Sequence, residues 1–389
     1  MDYISERVAA MAASQTLAMS QRSRELAAQG VDVVNLSVGE PDFDTPQHIK
    51  DAAKRAIDEN YSHYSPVAGY ASLREAIARK LSRENGLDFD PAQIVVGNGA
   101  KHQLANLMLA TLNPGDEVII PTPAWVSYCE LVKLAGGRVV EVATTLDADF
   151  KMTPAQLEAA ITGRTRMVLI CSPGNPTGSV YSRAELEGLA EVLARHPQVL
   201  VVADEIYEHI LYTGGRFCSM ASLPQLAGRV CVVNGVSKAY AMTGWRIGFV
   251  AAPAAIARAV VKLQGQTTSG ASSIAQKAAE AAYNGPQECV AEMCEAFRRR
   301  RDLIVSLAEK IPGWRLRCPE GAFYLFPDVS ALLGRRFATD SDLAMYLLEE
   351  AHVATVAGSA FKAPGHLRLS YATSEDRLRE AMARIARAL

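Results

Sequence analysis

The chain has 389 residues, beyond the size at which one hydrophobic core usually stops growing, so two domains are expected. Hydrophobic residues make up 49% and charged residues 21%, an ordinary globular composition. The formal net charge of −2 argues against nucleic acid as a partner.

At the start of the chain, MDYISERVAA is charged and lacks the apolar stretch of a signal peptide. No uninterrupted apolar run approaches the roughly 18 residues that span a bilayer, so no membrane partner and a cytoplasmic location are expected. GEPDFDTP, residues 39–46, and SHYSPVAGY, residues 62–70, precede the first strongly patterned stretch. From about residue 93, short apolar runs bounded by Gly and Pro alternate with helical patterns. IVVGNG leads into AKHQLANLMLATL, and NPGDEVIIP into AWVSYCELVKLAG; GRVVEVAT, MVLICS, VLVVADE, RVCVVNG and RIGFVAAP follow. That alternation predicts an α/β fold around a mainly parallel sheet.

After about residue 285 the pattern changes. The helical stretch AEMCEAFRRRRDLIVSLAEK contains Arg298 to Arg301, the one basic cluster, which reads as a solvated helix face. GAFYLFPDVS, VATVAG and HLRLSYA follow, with a last helix from Ser374, and together they describe a second, α+β domain. The seven cysteines form no C-x-x-C pair and have no histidines at metal-ligand spacing. No metal is expected, and all seven read as core thiols of a reducing compartment.

Ligands of open α/β sheets bind beyond the carboxyl ends of the strands, so the residues that follow each apolar run carry the functional signal. Gly99-Ala100-Lys101 opens a helix after IVVGN, where backbone N–H groups suit a phosphate. It is neither a dinucleotide fingerprint nor a Walker loop. Lys101 opposes the helix macrodipole there; it is either a solvated lysine or faces an anion. SPGNPTG, from Ser172 to Gly178, is a turn in any reading, but two X-Pro bonds around Asn175 would also hold an amide rigidly. After VLVVA, Asp204 is either a helix N-cap or a carboxylate presented to a ligand, with Tyr207 nearby. In GVSKAYAMTGWRIG, Ser237-Lys238 follows a strand and Arg246 lies eight residues on. Pyridoxal phosphate is the cofactor that uses such a set: a lysine to hold it covalently, a carboxylate at the pyridine nitrogen, and donors for its hydroxyl and phosphate.

With these residues in view, the sequence resembles the fold-type I, class I aminotransferases over essentially the whole chain. GVSKAYAMTGWRIG is similar to that class's lysine signature position for position. SPGNPTG and ADEIY support the match, and GEPDFDTP and HLRLSYATSE are similar to the bacterial aspartate aminotransferase subgroup. The resemblance implies a seven-stranded, mainly parallel large domain at 45–287, and a small α+β domain built from 14–44 and 288–389. It implies that Lys238 attaches the cofactor, Asp204 pairs with the pyridine nitrogen, and Asn175 and Tyr207 bond the ring oxygen. The phosphate would rest on Gly99, Ala100 and Lys101, with Ser237 and Arg246; Trp125 would stack on the ring. Arg368, beside Gly39, would bind the substrate α-carboxylate. Tyr64 would reach the phosphate of a neighbouring subunit, which implies a homodimer.

Subgroup members often recognise a distal carboxylate through a lysine in the place of Lys101, helped by residues such as Ser14 and Thr16. L-Aspartate with 2-oxoglutarate, giving oxaloacetate and L-glutamate, is therefore the expected reaction. Members that also accept prephenate tend to carry a lysine near position 12, where this chain has Ala12. The alternatives on the same scaffold are an aromatic, prephenate or neutral amino acid aminotransferase, or a C–S β-lyase. A dinucleotide-dependent oxidoreductase would need the missing third glycine. A cofactor-binding regulator would need a DNA-binding module for which the chain has neither length nor charge.

Overall fold

The computed structural model describes residues 3–12, 15–334 and 336–389, without the side chains of residues 15–17. Its strands are β1 (Val34–Asn35), β2 (Ile94–Gly97), β3 (Glu117–Thr122), β4 (Arg138–Ala143), β5 (Thr165–Cys171) and β6 (Leu200–Asp204), then β7 (Val230–Gly235), β8 (Gly248–Ala251), β9 (Tyr324–Leu325), β10 (Val353–Ala354), β11 (Val356–Ala357) and β12 (Leu367–Ser370).

Seven strands form one sheet in the order β2-β8-β7-β6-β5-β3-β4. All run parallel except β8, which is antiparallel to both β2 and β7. The physical reason lies in the connection. Between β7 and β8 the chain makes only a 3-10 turn at Thr243–Trp245, whereas a parallel return needs a crossover helix. β2, β7 and β8 are buried along their whole length, which is why they read as continuous apolar runs rather than alternating ones. The edge strand β4 is mostly exposed or half-buried. Apolar clusters pack against the sheet, one around Leu73, Ile77 and Phe249, another around Leu104, Leu107 and Val132.

A second set of strands lies apart from this sheet. β11-β12-β9 are antiparallel, and β1 pairs in parallel with β10, Val34 opposite Val353. Their cluster joins Val34 and Leu36 to Phe297, Phe323 and Leu369, with the helices Glu288–Ala308, Asp340–Glu349 and Glu375–Ala388. The last helix begins where expected, with the Ser374 hydroxyl accepting from the Arg377 N–H.

Two expectations need correction. Arg298 and Arg299 are solvated, but Arg300 is not: its guanidinium grips the Asp42 carboxylate at 2.6 and 3.0 Å and lies over the Phe43 and Phe297 rings. Arg301 stacks on Tyr212 and bonds the Pro319 carbonyl. At 3.6 residues per turn, four consecutive residues cannot share one face. The cysteines are all free thiols, but only Cys129 and Cys231 are buried; Cys318 is exposed and the other four are intermediate. Among the described residues no helix is long and apolar enough to cross a membrane, and no cluster of His, Cys, Asp and Glu could hold a metal ion.

Candidate active site

Parallel pairing puts the ends of β5, β6 and β7 side by side, with Cys171 opposite Asp204 and Asp204 opposite Val233. A cavity of about 310 Å³ opens there, and Lys238, Asp204, Tyr207, Asn175 and Arg368 all line it.

Lys238 is half-buried, and its Nζ donates to the Gly39 carbonyl at 2.6 Å. The Tyr207 and Phe323 rings lie 5.7 and 5.9 Å away. Burial pushes its pKa down to about 8, with Arg368 and Arg246 reinforcing the shift against the pull of Glu40 and Asp204. An amine held there is available as a nucleophile and base near neutral pH, unlike a solvated lysine.

Asp204 is 3% exposed. Its Oδ2 accepts from the Tyr128 hydroxyl at 2.7 Å and its Oδ1 from the Ile206 N–H at 3.2 Å. Burial raises its pKa, while those two bonds and the Lys238 charge act the other way. No helix follows it, only a turn over 206–209, so the N-cap alternative is set aside. A buried carboxylate at a strand end with spare acceptor capacity is suited to a cationic partner.

Arg368 is 2% exposed on β12. Nη1 donates to Asn175 Oδ1 at 3.0 Å and Nη2 to the Ser37 carbonyl at 2.6 Å. The Tyr324 and Phe361 rings cover it at 4.6 and 4.9 Å. Its Nε has no hydrogen-bond partner among the described residues, which leaves a buried cation with unused donor capacity lining the cavity. Tyr207 and Tyr324 share a hydrogen bond between their hydroxyls at 2.7 Å. Asn175 sits in a loop whose Ser172-Pro173 and Asn175-Pro176 bonds are both cis.

At the opposite side, Gly99 caps the helix Ala100–Thr111 with φ +89°. A Cβ at Gly99 would run into the Arg246 guanidinium, and one at Gly248 into the Ala100 backbone. The Gly99 N–H is taken by the Gly97 carbonyl at 2.8 Å, which leaves Ala100 and Lys101 as donors at the open helix end. Arg246 reaches over this cradle from a left-handed residue (φ 59°), donating to the Thr243 and Asn98 carbonyls. The Ser237 side chain is buried and lines the same cavity. Trp125 stands on one wall, edge-on to Tyr128 at 5.3 Å, with Lys101 Nζ 4.7 Å from its ring centre. Lys101 is exposed; partial desolvation and then Arg246 hold its pKa below the usual lysine value.

Eleven predicted residues therefore converge on one cavity: Gly39, Ala100, Lys101, Trp125, Asn175, Asp204, Tyr207, Ser237, Lys238, Arg246 and Arg368. Gly99 supports it from behind. Tyr64 does not line it and is 97% exposed. Ser14 and the side chain of Thr16 lie outside the described residues. Sequence reasoning missed Tyr128, Tyr324 and Ser37. Tyr128 sits in AWVSYCELVKLAG and Tyr324 in GAFYLFPDVS, both as plain members of apolar patterns, so no local signal set them apart.

The residues fit pyridoxal phosphate. An anion cradle that only glycine permits, a depressed lysine, a buried carboxylate and an orphaned arginine N–H share a cavity of suitable size. The fold and site together define a pyridoxal-phosphate-dependent transferase of fold type I. Comparison with known proteins agrees. A family profile, aminotransferase class I and II, matches residues 31–385. The aspartate/prephenate aminotransferase of Cereibacter sphaeroides is 51% identical over 99% of this chain and 98% of its own. Among solved structures, the aspartate aminotransferase of Rhizobium meliloti superposes with a TM-score of 0.96 at 47% identity, covering 100% and 99% of the two chains. That of Thermus thermophilus, solved with maleate, has a TM-score of 0.94 at 45% identity and full coverage of both. The chain belongs to the class I and II aminotransferase family. It is a pyridoxal-phosphate-dependent aminotransferase, and its substrates are amino acids and 2-oxo acids.

Proposed function

We propose that the enzyme moves the amino group between L-aspartate and 2-oxoglutarate, forming oxaloacetate and L-glutamate in two alternating half-reactions. The observation that carries the substrate choice is the two cavity cations left beside the cofactor residues Lys238 and Arg246: Arg368 buried among aromatic rings, and Lys101 over the Trp125 ring. Two separated cations suit a dicarboxylate. The names of the relatives, and the maleate in the Thermus thermophilus structure, support that class.

When bound, the cofactor supplies an electron sink for the charge that develops at the substrate Cα. Lys238 would hold the cofactor covalently and, with its amine free, would serve as the base and acid that moves the substrate Cα proton. Asp204, braced by Tyr128, would keep the ring nitrogen protonated. Asn175 and Tyr207 would bond the ring oxygen, and Trp125 would lie against the ring. Ala100, Lys101, Ser237 and Arg246 would hold the phosphate, with Gly99 shaping the cradle. Arg368 orients the α-carboxylate beside Gly39, and Lys101, with Ser14 and Thr16, selects the distal one. The printed name of the Cereibacter relative favours prephenate as a second acceptor, which Ala12 disfavours by contributing no cation.

The reading extends to the whole enzyme: a large domain at 45–287, a small one from 14–44 and 288–389, a cytoplasmic homodimer, and Tyr64 completing the partner's phosphate site. Separate apolar clusters support the division, and Tyr64, 97% exposed, is free for a partner to cover. The test is an absorbance scan of the holoenzyme before and after L-aspartate. A shift to the amino form of the cofactor, reversed by oxaloacetate and absent in Lys238→Ala, is expected. An unchanged spectrum with aspartate, alongside a shift with aromatic amino acids or alanine, would overturn the substrate.

A further inference from the structure

Three glutamines that no step of the reaction uses are completely buried, Gln103, Gln264 and Gln276, each with 0% exposure, and the last two face the same loop. Those two spend their amides on the irregular stretch 61–70 that carries Tyr64. Gln276 Oε1 accepts from the Tyr70 N–H at 2.8 Å, and its Nε2 donates to Ser65 Oγ at 2.9 Å and the Ala271 carbonyl at 2.8 Å. Gln264 Nε2 donates to the Val67 carbonyl at 2.6 Å and the Val96 carbonyl at 2.9 Å. Its Oε1 accepts from Gln103 at 3.1 Å and Asn106 at 3.2 Å, both on the cradle helix Ala100–Thr111. Each amide uses its two donors, and Gln264 uses both acceptor sites as well. Ser273 Oγ adds a bond of 2.8 Å to the His63 carbonyl, next to Tyr64 itself.

A loop without regular structure leaves its backbone groups in need of partners. Here buried side chains supply several of them, while Tyr64 in the same stretch is 97% exposed. The contrast is the point: the backbone is anchored, yet the aromatic ring it presents finds no cover among the described residues. Gln264 also ties this stretch to the helix whose first turn forms the phosphate cradle.

We propose that Gln276 and Ser273 are positioning residues that, with Gln264 tying the loop to the cradle helix, hold the 61–70 stretch so that Tyr64 reaches the cofactor phosphate of the partner subunit. The inference rests on the cross-subunit role of Tyr64 given above. Anchored beforehand, the tyrosine loses little freedom on making that contact.

The experiment titrates the apoenzyme with pyridoxal phosphate and, separately, with pyridoxal, which has no phosphate. Wild type, Tyr64→Phe, Gln276→Met, the milder Ser273→Ala and their doubles with Tyr64→Phe are compared. Tyr64→Phe is expected to weaken pyridoxal phosphate about tenfold and leave pyridoxal unchanged. Gln276→Met and Ser273→Ala should reproduce that phosphate-selective loss and add nothing to Tyr64→Phe in the doubles. If Gln276→Met fails to fold, Ser273→Ala, which deletes one hydroxyl, carries the cycle. Equal loss for both ligands, no loss, or additive losses in the doubles would overturn the positioning role while Tyr64 keeps its own. No effect of Tyr64→Phe would overturn the cross-subunit reading, and the inference with it.

Discussion

Lys101 and Glu205 show how far a side chain's surroundings change its meaning. At the start of a helix a lysine is locally unfavourable, and its position beside Trp125 and Arg246 makes sense as a charge kept for an anionic substrate. Lys101→Ala should raise KM for aspartate roughly tenfold and leave that for alanine almost unchanged; equal effects in steady-state kinetics would remove the role. Glu205 follows Asp204 directly but lies outside the cavity. It is 3% exposed, with Oε1 accepting from Ser219 at 2.6 Å and Oε2 unpartnered among the described residues. Burial first, and then the Glu208 charge, push its pKa up to about 8, against Ser219 and Lys80. The folded chain therefore holds a proton that the unfolded chain releases above about 4.5, so this group's contribution to stability falls as pH rises from there through 8. Glu205→Gln removes the titration. The variant should lose less stability between pH 6 and pH 9 than wild type, by on the order of a few kcal/mol, read from urea unfolding at each pH. An identical pH dependence would show that the carboxylate is not protonated in the fold.

Among the elements, the turn from β2 into the helix Ala100–Thr111 depends most closely on its sequence. Gly99 adopts φ +89° and ψ 163° with the Arg246 guanidinium packed against it. This backbone region is essentially reserved for glycine, and other residues pay on the order of 1–3 kcal/mol there. Gly99→Ala should weaken pyridoxal phosphate binding to the apoenzyme by about tenfold or more, since Arg246 must also move, while the far-UV circular dichroism stays native. Unchanged affinity would mean that the cradle tolerates the shift. The turn was legible because glycine at a helix start after an apolar run has few other uses. The arginine run was legible only as a helix. Which of its members turn inward depends on Asp42, Phe43 and Tyr212, which lie far away in sequence.

For the whole molecule, the site draws on segments that the sequence keeps apart. Gly39 and Ser37 come from near the start of the chain, Arg368 from near its end, and Lys238 from between, yet 2.6 Å contacts join the first pair to the other two. If Tyr64 serves a partner, the enzyme works as a pair. Sedimentation equilibrium of the holoenzyme should then give the mass of two chains across the micromolar range, and a monomer with full activity would sink the shared site.

The sequence by itself determined the α/β alternation and the strand ends as the place of chemistry, and it singled out Lys238, Asp204, Asn175 and Arg246 as candidates, because glycine, proline and isolated charges stand out against apolar runs. Resemblance to a family then supplied roles for Trp125, Arg368 and Tyr64, whose local patterns are those of ordinary core, strand and turn residues. The tertiary structure alone decided that β8 runs antiparallel, that Tyr128 braces Asp204, that Tyr324 covers Arg368, and that Arg300 is clamped against Asp42. Each of these depends on which distant surfaces meet, and hydrogen bonds and burial between distant segments leave no mark on local spacing.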